Sequence, residues 1–145
     1  MKALTFTVYG KPVAKGRPRM TKSGHVYTPQ TTREYEERIR NAAMSEMGRS
    51  KILPWTEKQP LKVVIDAFFK LPKSATKKDR IDVLNHIKFP TVKADVDNIA
   101  KSILDGMNGY VYGDDAQVVD LVITKRYDCD DAFVIVTVKE VDNDL

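Results

Sequence analysis

Lys93-Ala-Asp95-Val-Asp97-Asn-Ile-Ala-Lys101-Ser-Ile-Leu-Asp105-Gly-Met-Asn-Gly-Tyr-Val-Tyr-Gly-Asp114-Asp115-Ala-Gln117 is the stretch on which the reading of this chain turns. From Asp97 the apolar residues Ile99, Ala100, Ile103, Leu104 and Met107 recur with helical periodicity, and Asn108-Gly109 ends the run. Tyr110 to Tyr112 then reads as a short strand. The spacing of Asp95 and Asp97 predicts an extended segment with both carboxylates on one side, because successive strand side chains alternate faces. Asp114 and Asp115 offer further carboxylate oxygens after the turn, and hard cations such as Mg²⁺ prefer oxygen ligands.

Working outward, Leu4, Phe6 and Val8 alternate with Thr5, Thr7 and Tyr9, which predicts a half-buried first strand ending at Gly10. The basic segment that follows, with Lys11, Lys15, Arg17, Arg19 and Lys22, carries prolines and a glycine that oppose helix and central strand. Thr31-x-x-Glu34 has the form of a capping box and opens a helix with Tyr35, Ile39, Ala42, Ala43 and Met47 on one face, ending near Gly48. Residues 50–60 read as a linker, 61–69 as a buried strand, and 75–86 as a polar helix. Residues 117–127 and 132–141 are rich in Val and Ile and flank the acidic turn Asp128-Cys-Asp-Asp, which predicts a hairpin. The sum is an α+β, or mixed α/β, single domain over residues 1–145, with a largely antiparallel sheet covered by about three helices.

Bulk properties narrow the field modestly. With 24 Lys plus Arg against 20 Asp plus Glu, the net charge is only +4, so its distribution says more than its sum. Basic residues crowd the first third and acidic ones gather from Asp95 to Asp131, an anion-binding arm beside a cation-binding site. One cysteine, Cys129, forms no intrachain disulfide, and with the separated His25 and His86 it makes no zinc site, so a reducing cytoplasm is the expected compartment. The alternating N-terminus resembles a strand and not a signal peptide, and no apolar run is long enough to span a membrane. Cys129 lies among Asp128, Asp130 and Asp131, where a thiolate is disfavoured.

On the helix opened by Asp97, Lys101 and Asp105 follow at four and eight residues, so a polar stripe leads away from the acidic pair. Taken singly, Asp97 reads as a cap and Lys101 as half of an exposed ion pair worth about 0.3–0.5 kcal/mol. Taken jointly, Asp95, Asp97, Asp114 and Asp115 would repel if gathered, and a bound cation removes that penalty. No Glu at EF-hand spacing follows, and no glycine-rich phosphate loop supports a nucleotidyl or glycosyl transferase using the Asp-x-Asp pair. Trp55, beside Pro54, reads as a packing anchor in preference to a base-stacking platform.

The order Lys93-x-Asp95-x-Asp97-Asn98-x-x-Lys101, Asp105, Asp114-Asp115-x-Gln117-Val118 resembles the RusA family of Holliday junction resolvases. Gly10-Lys11-Pro12-x-x-Lys15-Gly16-Arg17-Pro18-Arg19 with Tyr27-Thr28-Pro29 is similar to its phage and prophage members, so the resemblance covers most of the chain. It implies a homodimeric, Mg²⁺-dependent endonuclease, with Mn²⁺ able to substitute, that cuts four-way DNA junctions in recombination and repair without an organic cofactor. Asp95, Asp97 and Asp115 match the family's catalytic carboxylates and Lys101 its lysine, with Asp114 a further metal-ligand candidate. Ala94 departs from the proline that many relatives carry there. Lys11, Lys15, Arg17, Arg19, Lys22, Lys73 and Lys93 become candidate DNA contacts, and Lys70, Lys77 and Lys78 extend the second basic group. The rival is a branched-DNA-binding protein without catalysis, which would gain nothing from intact carboxylates.

Overall fold

The computed structural model describes residues 2–142. Its strands are β1 (Ala3–Tyr9), β2 (Arg19–Met20), β3 (Val26–Tyr27), β4 (Leu61–Lys70), β5 (Val118–Asp128) and β6 (Phe133–Glu140). The helices are α1 (Gln30–Ser50), α2 (Lys77–Leu84) and α3 (Val96–Met107), with a short 3-10 turn at Asp115–Gln117. Four strands form one mixed sheet in the order β1-β6-β4-β5, and β2 and β3 form a separate small ribbon.

The side-chain period of two in β4 sets the core. Leu61, Val63, Ile65, Ala67 and Phe69 are buried, and the intervening residues are half-covered. Against this face lie Tyr35, Ile39, Ala43 and Met47 of α1 and Ile99, Ala100, Ile103 and Met107 of α3, in one apolar cluster with Leu4, Phe6 and Val8. Helices α1 and α3 approach closely at Gly106, where an added Cβ would lie 2.9 Å from the Glu36 carbonyl oxygen and 3.0 Å from Ile39 Cβ. The opposite face carries the stacked rings of Phe68 and Phe133, 4.6 Å apart, and the Arg126–Asp66 ion pair at 2.8 Å. Helix α2 borders that face, where Val83 and Leu84 line a cleft with Phe68.

Several local expectations are corrected. Strands β5 and β6 are not hairpin partners: β4 lies between them, antiparallel to β6 and parallel to β5. The acidic turn does form, with Asp128 Oδ2 accepting from the amides of Asp130 and Asp131, but it carries the chain past the end of β4, so that β6 runs back beside β4 instead of beside β5. The Thr31-x-x-Glu34 box is not made, because Pro29 is the N-cap of α1 with no side-chain cap, and the helix runs past Gly48 to Ser50. A capping box forms at α2 instead, between Thr76 and Asp79. Tyr110 to Tyr112 is a turn with isolated bridges, not a strand.

Trp55 is buried, donates its Nε1–H to Glu140 Oε1 at 2.9 Å and is covered by the Lys2 ammonium, so it is the packing anchor the sequence implies. Among the described residues no helix is long and apolar enough to cross a membrane.

Candidate active site

Helix α3 supplies one wall of the site. Asp95 is its N-cap, with extended backbone and no side-chain capping bond, and Asp97 lies in its first turn. The expected extended segment is therefore limited to Asp95: the helix begins at Val96, so the strand alternation that would point both carboxylates to one side does not apply to the pair. Both are exposed. Ala94, just before them, has φ of 133°, a conformation that L residues rarely adopt and that proline's ring forbids. Further along α3 the polar stripe is as the periodicity predicts, with Lys101 Nζ 3.5 Å from Asp105 Oδ1.

The other wall is the turn joining the Tyr110–Gly113 segment to β5. Asp114 caps the short 3-10 turn and accepts from the Ala116 amide at 3.4 Å. Gln117, 6% exposed, holds this turn in place through both ends of its amide. Its Oε1 accepts from the amides of Gly113 (2.9 Å) and Asp114 (3.0 Å), while its Nε2 donates to the carbonyls of Thr56 (2.6 Å) and Gln59 (3.1 Å). The turn carrying Asp114 and Asp115 is therefore tied to residues 56–59 by one buried side chain. The sequence marked Gln117 only as part of the motif Asp114-Asp115-x-Gln117-Val118 and assigned it no role; its physical signal is a long amide at the mouth of a strand, two residues after the acidic pair.

These walls bring charge together. The Asp115 carboxyl is raised above the usual carboxylate range by partial burial, then by the hydrogen bond and negative charge of Asp114 and by the charge of Asp105; Lys101 opposes the rise. Tyr112, buried beneath, donates its hydroxyl to the Leu104 carbonyl at 2.8 Å. Burial, with the charges of Asp115, Asp105 and Asp114, pushes its hydroxyl far above the ordinary phenol range. Asp105, Asp114, Asp115 and Lys101 thus share one electrostatic environment. Asp105 belongs with them although the sequence marked it only as part of a stripe.

Lys15 enters the same network from the basic segment. Its ammonium lies 2.5 Å from Glu36 Oε1 and 3.0 Å from Asp105 Oδ2. Burial on its own lowers an ammonium's pKa, but hydrogen bonds and charges from Glu36 and Asp105 outweigh it, so Lys15 is raised. The backbone around it is stitched down as well: the Lys15 amide donates to the Asn98 carbonyl, the Gly16 amide to Thr32 Oγ1, and Ser102 Oγ to the Val13 carbonyl. Beyond it Arg17, Arg19 and Lys22 are exposed, as are Lys11, Lys73 and Lys93.

All metal-ligand candidates are carboxylates, a donor set suited to a hard divalent cation. Among the described residues, however, no group of three or more acidic, His or Cys side chains is placed to hold a metal ion. Asp114 and Asp115 fit as a pair whose mutual repulsion a cation would relieve, and Asp95 and Asp97 lie exposed at the start of α3.

Comparison with known proteins agrees with the motif order. The chain is 33% identical over 132 residues to the Bacillus subtilis (strain 168) protein named "Uncharacterized protein YqaN", across 88% of this chain and 89% of that one. The family described as "Endodeoxyribonuclease RusA" matches residues 9–139, nearly the whole described fold. A match of that extent, spanning both walls of the acidic site, places the chain in the RusA endodeoxyribonuclease family.

Proposed function

We propose that this protein resolves four-way DNA junctions by paired, symmetric nicks that depend on Mg²⁺, with Mn²⁺ able to substitute. The observation that carries the reading is the gathering of Asp114, Lys101 and Asp105 about Asp115, between α3 and the 113–117 turn. When bound, a divalent cation would supply charge compensation at the phosphate and a water of lowered pKa, with the Asp114–Asp115 pair to hold it and Asp95 and Asp97 as the further candidate ligands. The exposed ammonium of Lys101, oriented by Asp105, is available to a scissile phosphate and to the charge developing on it. Gln117 keeps the Asp114–Asp115 turn fixed while DNA is bound. Lys11, Arg17, Arg19, Lys22, Lys73 and Lys93 are the proposed backbone contacts. Lys15 is left out of that set because Glu36 and Asp105 already hold its charge.

A homodimer completes the proposal, since two-fold symmetry presents two equivalent sites to strands of like polarity. The test is cleavage of a synthetic four-way junction against linear duplex, in Mg²⁺ or EDTA, by wild type and Asp97→Asn. Metal-dependent, symmetric nicks confined to the junction and abolished by the substitution are expected. Tight junction binding with no cut in Mg²⁺ or Mn²⁺, across several crossover sequences, would instead leave a branched-DNA-binding module.

A further inference from the structure

A cavity of about 420 Å³ opens where the parallel strands β4 and β5 end, away from the acidic cluster. Its lining includes Lys11, Phe69, Lys70, Val92, Lys93 and Tyr127. Phe69 and Tyr127 are register partners on β4 and β5, so their side chains stand side by side. No carboxylate lines the cavity, and among the described residues none of its lysines forms an ion pair. Three ammonium groups left unneutralised around an apolar, aromatic interior call for a ligand that is both anionic and flat.

The walls are already fixed. The Gly10 amide donates to the Ala132 carbonyl at 2.9 Å, holding the strand end that precedes Lys11. The Leu71 amide donates to the Asp128 carbonyl at 2.9 Å, holding the segment after Lys70. Lys125 Nζ donates to the Val92 carbonyl at 2.8 Å, pinning the strand of chain that carries Lys93. A site of this volume, largely formed before any ligand arrives, lies within the range of small-molecule pockets, about 300–1,000 Å³. The ends of parallel strands are also where open sheets commonly take ligands.

We propose that this cavity receives one deoxynucleotide unstacked from a DNA strand, its base against Tyr127, which Phe69 backs from the core, and its phosphates on Lys11, Lys70 and Lys93. The strand-borne nucleotide is preferred over a free one because Lys93 leads directly to Asp95: two residues of chain reach at most about 7 Å. A strand with one phosphate at the start of α3 thus brings a neighbouring nucleotide to the cavity mouth. This choice of source rests on the proposed action on branched DNA; the nucleotide chemistry of the cavity does not. Unpaired or easily unpaired nucleotides are concentrated at a branch point, so the cavity would favour branched over linear DNA.

The experiment has three arms. In the first, dTMP, thymidine and inorganic phosphate are titrated into the protein by isothermal calorimetry. Stacking of about 1–3 kcal/mol per base predicts that dTMP binds about 5- to 150-fold more tightly than phosphate. Equal affinity for dTMP and phosphate would overturn the proposal, leaving a lysine patch only. In the second arm, 2-aminopurine is placed at each position flanking the crossover of a four-way junction. Fluorescence at one position is expected to be quenched by wild type and to recover in Tyr127→Leu, which keeps the apolar volume, with junction affinity and melting temperature tracked alongside. Tight dTMP binding with no position-specific change would overturn the strand-borne assignment in favour of a free nucleotide. The third arm is junction cleavage by wild type: cleavage without dTMP binding removes the cavity proposal alone, and dTMP binding without cleavage removes the nuclease reading alone.

Discussion

The ammonium of Lys15 lies 3.0 Å from Asp105 Oδ2, which joins the segment after β1 to the last turn of helix α3. Lys15 is thus a structural cation in the heart of the site, with its side chain only 19% exposed. Replacing Lys15 by Met leaves Glu36 and Asp105 without their shared partner and should cost about 1.5–3 kcal/mol in urea denaturation. Because the folded-state pKa is raised above the ordinary 10.5, the stabilisation is complete below that pH and lost as pH rises through the higher folded value. The difference between wild type and Lys15→Met should therefore hold from neutral pH to about 10 and close only above it, by the same linkage.

The exposed part of the same segment should behave differently toward DNA. Removing Arg17, Arg19 and Lys22 together should reduce the salt dependence of junction binding, by about 0.9 in log–log slope for each phosphate that is no longer neutralised. Lys15→Met should leave that slope unchanged. A slope that falls with Lys15→Met and not with the triple substitution would reverse the assignment of the two halves.

Lys101→Ala should retain junction affinity and lose cleavage by about 100-fold or more, the usual scale for removing a group that stabilises transition-state charge. Affinity and single-turnover rate measured on the same junction separate the two effects. Loss of affinity with an unchanged rate for bound substrate would make Lys101 a DNA anchor only.

Gln117→Ala removes four hydrogen bonds at once and should lower stability by about 1–3 kcal/mol, because the Gly113 and Asp114 amides lose their acceptor. Cleavage should fall more than junction affinity, since Asp114 and Asp115 lose the brace that fixes them to residues 56–59. Gln117→Glu keeps the acceptor and loses the donor, and should restore the amide contacts without those to Thr56 and Gln59. Single-turnover rates at saturating protein decide the point.

Gly106→Ala should destabilise by about 1–2 kcal/mol despite alanine's better helix propensity, because the new Cβ meets backbone of α1 at Glu36. Thermal melting would register it, and an unchanged melting temperature would show that α1 and α3 separate easily.

Elements with strong local signals were legible in the sequence. The apolar period through Ile99, Ile103 and Met107 predicts α3, and the β-branched run in residues 61–69 predicts β4, because each pattern is decided within the segment itself. Partnership was not legible: the Val-rich runs around Asp128 look like a local hairpin, and only the long-range insertion of β4 separates them. The Thr31 box fails because the helix already begins at Gln30 with Pro29 as its cap, which puts Thr31 inside the first turn. In the site, the Lys101–Asp105 face follows from helical spacing, whereas the roles of Lys15 and Gln117 depend on residues 21 to 90 and 58 to 61 positions away. No spacing rule reports contacts of that span.

The position of β6 between β1 and β4 also bears on when the protein can act. During synthesis β1 emerges early and has no strand beside it until Phe133–Glu140 has been made, so the sheet remains in two parts for most of translation. A ribosome-bound chain that has already displayed Asp95, Asp97 and Asp115 still lacks the strand that joins the two parts of the sheet, so the candidate site takes its final form only after its scaffold is closed.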